Sequence, residues 1–110
     1  MNEPQIGFID EKTRQAYYDL AKGKGDEKRL YEIITQALNN IKKDHTIGDS
    51  VPKRLIPKMF VKKYGINNLW VYDLPSGWRL LYNVRGEKIS IVSVILDWMD
   101  HTNYERLFKY

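Results

Sequence analysis

Apolar positions along this chain change their spacing from one stretch to the next. Leu30, Ile33, Ile34, Ala37, Leu38 and Ile41 recur three and four residues apart, which predicts an amphipathic helix from Asp26, its expected N-cap, to about Lys43. A shorter helix is predicted over residues 11–22, capped by Asp10, with Ala16, Tyr17 and Leu20 inward and Gly23 and Gly25 ending it. The short apolar run at 5–9 reads as a first strand. From Leu69 onward the period falls to two. Three strand-like runs follow, joined by Pro75-Ser76-Gly77 and Arg85-Gly86-Glu87, as in an antiparallel meander. The run 89–96 is nearly all apolar and is expected at the centre of the sheet, covered on both faces. Residues 44–57 read as loop, with Pro57 opening a helical turn through Lys63 that Gly65 closes. A last helix is expected over 101–108. The pattern predicts one α+β domain spanning 1–110: two N-terminal helices packed on a mainly antiparallel curved sheet, with a short C-terminal helix.

Alternation divides the middle strand of the meander. Trp78, Leu80, Tyr82 and Val84 face one side, expected to be core, and Arg79, Leu81 and Asn83 face the other. The partner of Arg79 depends on the turn. A three-residue loop at 75–77 sets Asp73 opposite Arg79, an ordinary cross-strand ion pair. A two- or four-residue loop instead puts Arg79 on the same face as Trp70 and Tyr72, free to hold an anion.

Charge changes this picture. The chain has 110 residues, no cysteine and a net charge of +4. No acid occurs between Ser50 and Tyr72, where Lys53, Arg54, Lys58, Lys62 and Lys63 make a local charge of +5, so the rest of the chain is near neutral. A concentrated basic segment is the footprint of a binder of nucleic acid or acidic protein, and the plain alternative is a solvated loop. Phe60, Tyr64 and Trp70 fall among these cations, as in proteins that stack unpaired bases, though Phe60 and Trp70 also suit a core. With no cysteine there is no disulfide and no thiolate nucleophile. With only two histidines, Asp97-x-x-Asp100-His101 is not read as a metal site, and no metal or cofactor is expected. No apolar run is long enough to span a membrane and no signal peptide is evident, so a cytoplasmic protein is expected. His45 reads as a surface residue without a companion.

The strand Gly77-Trp78-Arg79-Leu80-Leu81-Tyr82 resembles the Gly-aromatic-Arg-apolar-apolar-Tyr strand of the RelE/ParE superfamily, toxin components of type II toxin–antitoxin systems. The stretch from Asp97 to His101 is similar, more loosely, to HigB-like members. The resemblance implies a RelE-like fold, a cognate antitoxin, and metal-independent cleavage of mRNA on the ribosome, in which a ribose 2′-OH attacks the adjacent phosphate. It implies Arg79 as the phosphate clamp and His101 as the proton-transfer group. Tyr104 would stack or hydrogen-bond, Asp97 and Asp100 would orient the imidazole, and Lys53, Arg54, Lys58, Lys62, Lys63, Trp70 and Tyr72 would contact RNA. Where ribosome-dependent members carry lysines before the arginine strand, this chain has Trp70 and Tyr72. ParE-like members share the fold without cleaving RNA and act on DNA gyrase, so a non-nuclease toxin or a catalytically silent binding module is the alternative.

Overall fold

The computed structural model describes residues 5–96. Two helices lead into the sheet as their patterns require. Helix α1 spans Glu11–Lys22, and the Asp10 side chain accepts from the Thr13 amide at 2.8 Å, satisfying one of the donors a helix start leaves open. Helix α2 spans Asp26–Lys43, with Leu30, Ile34, Ala37 and Ile41 buried along one stripe. Its N-cap is Gly25, at φ 59°, so Asp26 begins the helix rather than capping it. Helix α3, Lys58–Tyr64, is closed by Gly65 in the left-handed region.

Five strands form one sheet in the order β1-β5-β4-β3-β2. They are β1 Gln5–Phe8, β2 Asp49–Ser50, β3 Trp70–Asp73, β4 Trp78–Arg85 and β5 Lys88–Leu96. Strands β2 to β5 pair antiparallel, while β1 lies parallel to β5. The strand expected to be central therefore lies between β4 and β1. The class is α+β, as the sequence predicts. The helix expected over 101–108 lies outside the described residues.

Each face of the sheet carries its own core. On one face Tyr17, Leu30, Ile34, Ala37 and Ile41 of α1 and α2 pack against Leu74, Leu80, Tyr82, Ile89 and Ile91, with Trp78 and Val84 alongside. This is the alternation foreseen for β4. On the other face Ile56, Phe60, Ile66 and Leu69 cover Val71, Leu81 and Val92. The sheet is thus not open opposite the two long helices, because the basic segment lies across it. Between Leu81 and Tyr82 the β4–β5 register slips, their partners being Ser93 and Ile91, and the extra residue, Val92, is drawn into this second core.

Candidate nucleic-acid interface

The basic segment is anchored by its apolar residues and presents its charges outward. Phe60 and Tyr64 fall one turn apart, so both turn toward the sheet, Phe60 buried and Tyr64 half-buried. The remaining positions, Lys58, Met59, Val61, Lys62 and Lys63, are exposed, as are Lys53 and Arg54 in the preceding 3₁₀ turn. Met59 and Val61 are 58% and 46% exposed, so apolar surface lies between the lysines. The Lys63 ammonium sits 5.3 Å above the Tyr64 ring.

Two polar links hold the segment in place. The Tyr64 hydroxyl donates to Asp10 Oδ2 at 3.1 Å, tying α3 to the cap of α1. Hydrogen bonds from Thr13 and then from Tyr64 hold the Asp10 carboxyl below the usual carboxylate range. At the other end, the Asn68 side chain donates to the Val84 carbonyl at 2.7 Å and accepts from the Val84 amide at 2.9 Å. A carboxamide carries one donor and one acceptor like a peptide unit, so Asn68 pairs with β4 much as a strand residue does. Asn83 Nδ2 donates back to the Asn68 carbonyl at 2.9 Å, which accounts for a buried asparagine on a sheet face. Nothing in the hydropathy pattern marks Asn68 or Asn83.

Arg79 stands at the margin of this face. Leu74 N bonds Trp78 O at 2.8 Å, leaving Pro75, Ser76 and Gly77 as a three-residue loop in which Ser76 and Gly77 both take positive φ. Asp73 consequently faces Arg79 across the ladder, with 3.6 Å between Arg79 Nε and Asp73 Oδ1. Of the two registers the sequence left open, this is the one that pairs the arginine. A separation of 3.6 Å is longer than a charge-assisted hydrogen bond, and the guanidinium side chain remains 31% exposed.

Trp70 and Tyr72 do not share that face. They lie opposite Tyr82 and Leu80 in the ladder and pack among the α1–α2 core. Trp70 stacks on Tyr82 with ring centroids 6.1 Å apart, and the Tyr72 hydroxyl accepts from Asn40 at 3.4 Å. The expectation that these two rings would join Arg79 on an RNA-facing surface is corrected by this register. His45 does have companions. Its ring meets Trp70 edge-on at 6.0 Å, and its carbonyl accepts from the Tyr82 hydroxyl at 2.5 Å.

Asp97, Asp100, His101 and Tyr104 lie outside the described residues, so this side of the expected site has no geometry. Among the described residues no group of three or more His, Asp or Glu side chains could hold a metal ion, and no helix is long and apolar enough to cross a membrane. No family model, no curated protein and no solved structure matches the chain.

Proposed function

We propose that this protein is an RNA-binding toxin of the type II toxin–antitoxin kind with a RelE-like arrangement of its α+β fold. In this reading it is an mRNA endoribonuclease acting at the ribosome in the cytoplasm, and a cognate antitoxin neutralises it. The observation that carries the reading is the exposure of Lys53, Arg54, Lys58, Lys62 and Lys63, in a stretch of sequence without acids whose Ile56 and Phe60 are buried on the sheet. Fixed cations on an ordered helix suit a phosphate backbone, whose binding is dominated by such charges.

The chemistry follows from what cleavage by a 2′-OH demands: a base for that hydroxyl, an acid for the departing 5′-oxygen, and a cation for the phosphate as it gains charge. His101 supplies proton transfer and Arg79 the cation. For Arg79 to act, an incoming phosphate must compete with the groups already held by the guanidinium, Asp73 at 3.6 Å among them. Asp97 and Asp100 orient the imidazole, and Tyr104 stacks on a base.

The Asp73–Arg79 pair also favours a second reading, a non-cleaving toxin of the ParE kind or a silent binding module, in which the arginine only staples β3 to β4. Brief induction followed by primer extension separates the two. The nuclease reading expects discrete transcript ends that vanish in Arg79→Ala and His101→Ala, and growth arrest lost with them. Arrest with intact transcripts selects the second reading. No arrest on induction overturns both toxin readings and leaves the silent binding module.

A further inference from the structure

The hairpin that joins β4 to β5 carries a charge pattern that stability alone does not explain. Arg85 and Lys88 are cross-strand partners on either side of Gly86-Glu87, and both are exposed. Like charges set directly opposite each other destabilise an antiparallel pair, whereas an acid at either position would stabilise it. Among the described residues no carboxylate forms an ion pair with Arg85 or Lys88, Glu87 of the same turn included.

Alternation places this pair on the face that bears α3. Arg79, Leu81, Asn83 and Arg85 point to one side of β4, and Leu81 shares its core with Phe60 of α3. Arg79 and Arg85 therefore stand at the two ends of β4 on that face, six residues or roughly 20 Å apart along the strand. Arg85 is also tied to the helix. Its Nη2 donates to the Gly65 carbonyl at 3.2 Å, just past the end of the helix that carries Lys58, Lys62 and Lys63. That bond engages one of the five N–H donors of a guanidinium and fixes where the group sits on the surface.

We propose, on the RNA-binding reading, that Arg85 and Lys88 form a second phosphate site, which holds the bound strand at the end of β4 remote from Arg79. A guanidinium presents its N–H groups as a planar fork that matches two phosphate oxygens, and the neighbouring ammonium adds a second cation to the same anion. A role confined to stapling β4 to α3 accounts for the contact with Gly65, but not for a lysine set opposite the arginine.

The test is the anisotropy of a short fluorescein-labelled single-stranded RNA, titrated with the full chain over a range of salt. Arg85→Gln keeps a donor for the Gly65 carbonyl and removes the charge. It is expected to weaken binding about tenfold at low salt. The log–log salt slope should become shallower by about 0.7, the share of one phosphate on a single strand. Lys88→Gln should make the slope shallower too, and Arg85→Lys should restore most of it. Lys24→Gln, an equal change of charge between α1 and α2, should alter neither affinity nor slope, and all four should keep the parent's urea midpoint. If the parent binds RNA and Arg85→Gln binds with the same affinity and slope, the second site is overturned while the RNA reading stands. Weaker binding with an unchanged slope, or with a lowered urea midpoint, marks Arg85 as a staple and overturns the site as well. Should Arg85→Gln not fold, Lys88→Gln decides, and an unchanged slope there overturns the site. A parent that binds no RNA overturns the RNA reading itself and this site with it.

Discussion

The Tyr82 hydroxyl lies within the helix-side core with both of its hydrogen-bonding capacities used. It donates to the His45 carbonyl and accepts from the Gly48 amide at 3.2 Å, fastening the turn after α2 to the sheet. Gly48 has no alternative there, since a Cβ would meet the Tyr82 oxygen at 2.7 Å and the Val71 carbonyl at 2.9 Å. Tyr82→Phe leaves two backbone groups without their partner, and the expected cost is roughly 1–3 kcal/mol, read from urea unfolding. Burial pushes the Tyr82 phenol up to about 12, and Tyr17, whose hydroxyl meets Thr35 at 2.5 Å, likewise to about 12. Both folded values lie above the ordinary one near 10, so the native state holds these protons longer than the unfolded chain does. Their contribution to stability is complete below about pH 10 and is lost as pH rises toward 12. Alkaline titration of phenolate absorbance should show two late-titrating tyrosines, and Tyr82→Phe should remove one. Asp10 works in the opposite sense. Its depressed carboxyl stabilises the fold above the unfolded value of about 4, and that contribution disappears as pH falls through the folded value. The capping role of Asp10 is legible in the sequence, but the partners of Tyr17 and Tyr82 are not, because they are a threonine on α2 and the backbone of the turn after it.

Helix α3 has a buried side and an exposed basic side, to which the proposed function gives the RNA contact, and substitutions separate the two. Its inner side is structural: Phe60→Ala should cost about 3–5 kcal/mol, because the ring fills the core on the second sheet face. Its outer side is electrostatic. Lys58→Glu combined with Lys62→Glu should leave the urea midpoint nearly unchanged, as exposed positions usually do, yet abolish RNA binding measured by anisotropy. If the pair of reversals binds RNA as the parent does, or the parent binds none, the proposed interface is wrong. Binding by the parent should weaken with salt at a log–log slope of about −0.7 for each phosphate neutralised on a single strand. The helices were legible in the sequence. Their apolar spacing, Asp10 and the glycines at 23 and 65 mark α1 and α3 closely, and the same spacing marks α2 to Lys43. The turn between β3 and β4 was legible only as alternatives. A Pro-Ser-Gly sequence permits loops of several lengths, and only the left-handed conformation of Ser76 together with Gly77 settles the three-residue form. On that single residue of register turns whether Arg79 shares its face with Asp73 or with two aromatic rings.

At the scale of the whole molecule, one edge of the sheet is completed by pairing the two ends of the described chain. Strand β1 is a four-residue piece near the N-terminus, and its partner β5 is the last of the described strands, with α1, α2 and the rest of the sheet between them in sequence. A period-two pattern reveals a strand but not its neighbour, so the parallel β1–β5 ladder was not legible. The topology has a consequence for cooperativity. A parallel pair separated by most of the chain forms late, since its loop-closure entropy is repaid only when the intervening elements are in place. Strands β4 and β5 are joined by a tight turn and carry Leu80, Leu81, Tyr82, Ile89 and Ile91, all almost wholly buried. Native-state hydrogen exchange should therefore find the amides of Leu80–Tyr82 and Ile89–Ile91 the slowest, opening only with global unfolding, while those of β1 exchange through a smaller opening at lower free energy. Deleting residues 1–8 should then lower the urea midpoint and bare the Ile89–Ile91 edge without erasing protection in β4. Equal protection in β1 and β4, or complete loss of structure on deletion, would show that the end-to-end pairing is part of the central folding unit rather than a late addition to it.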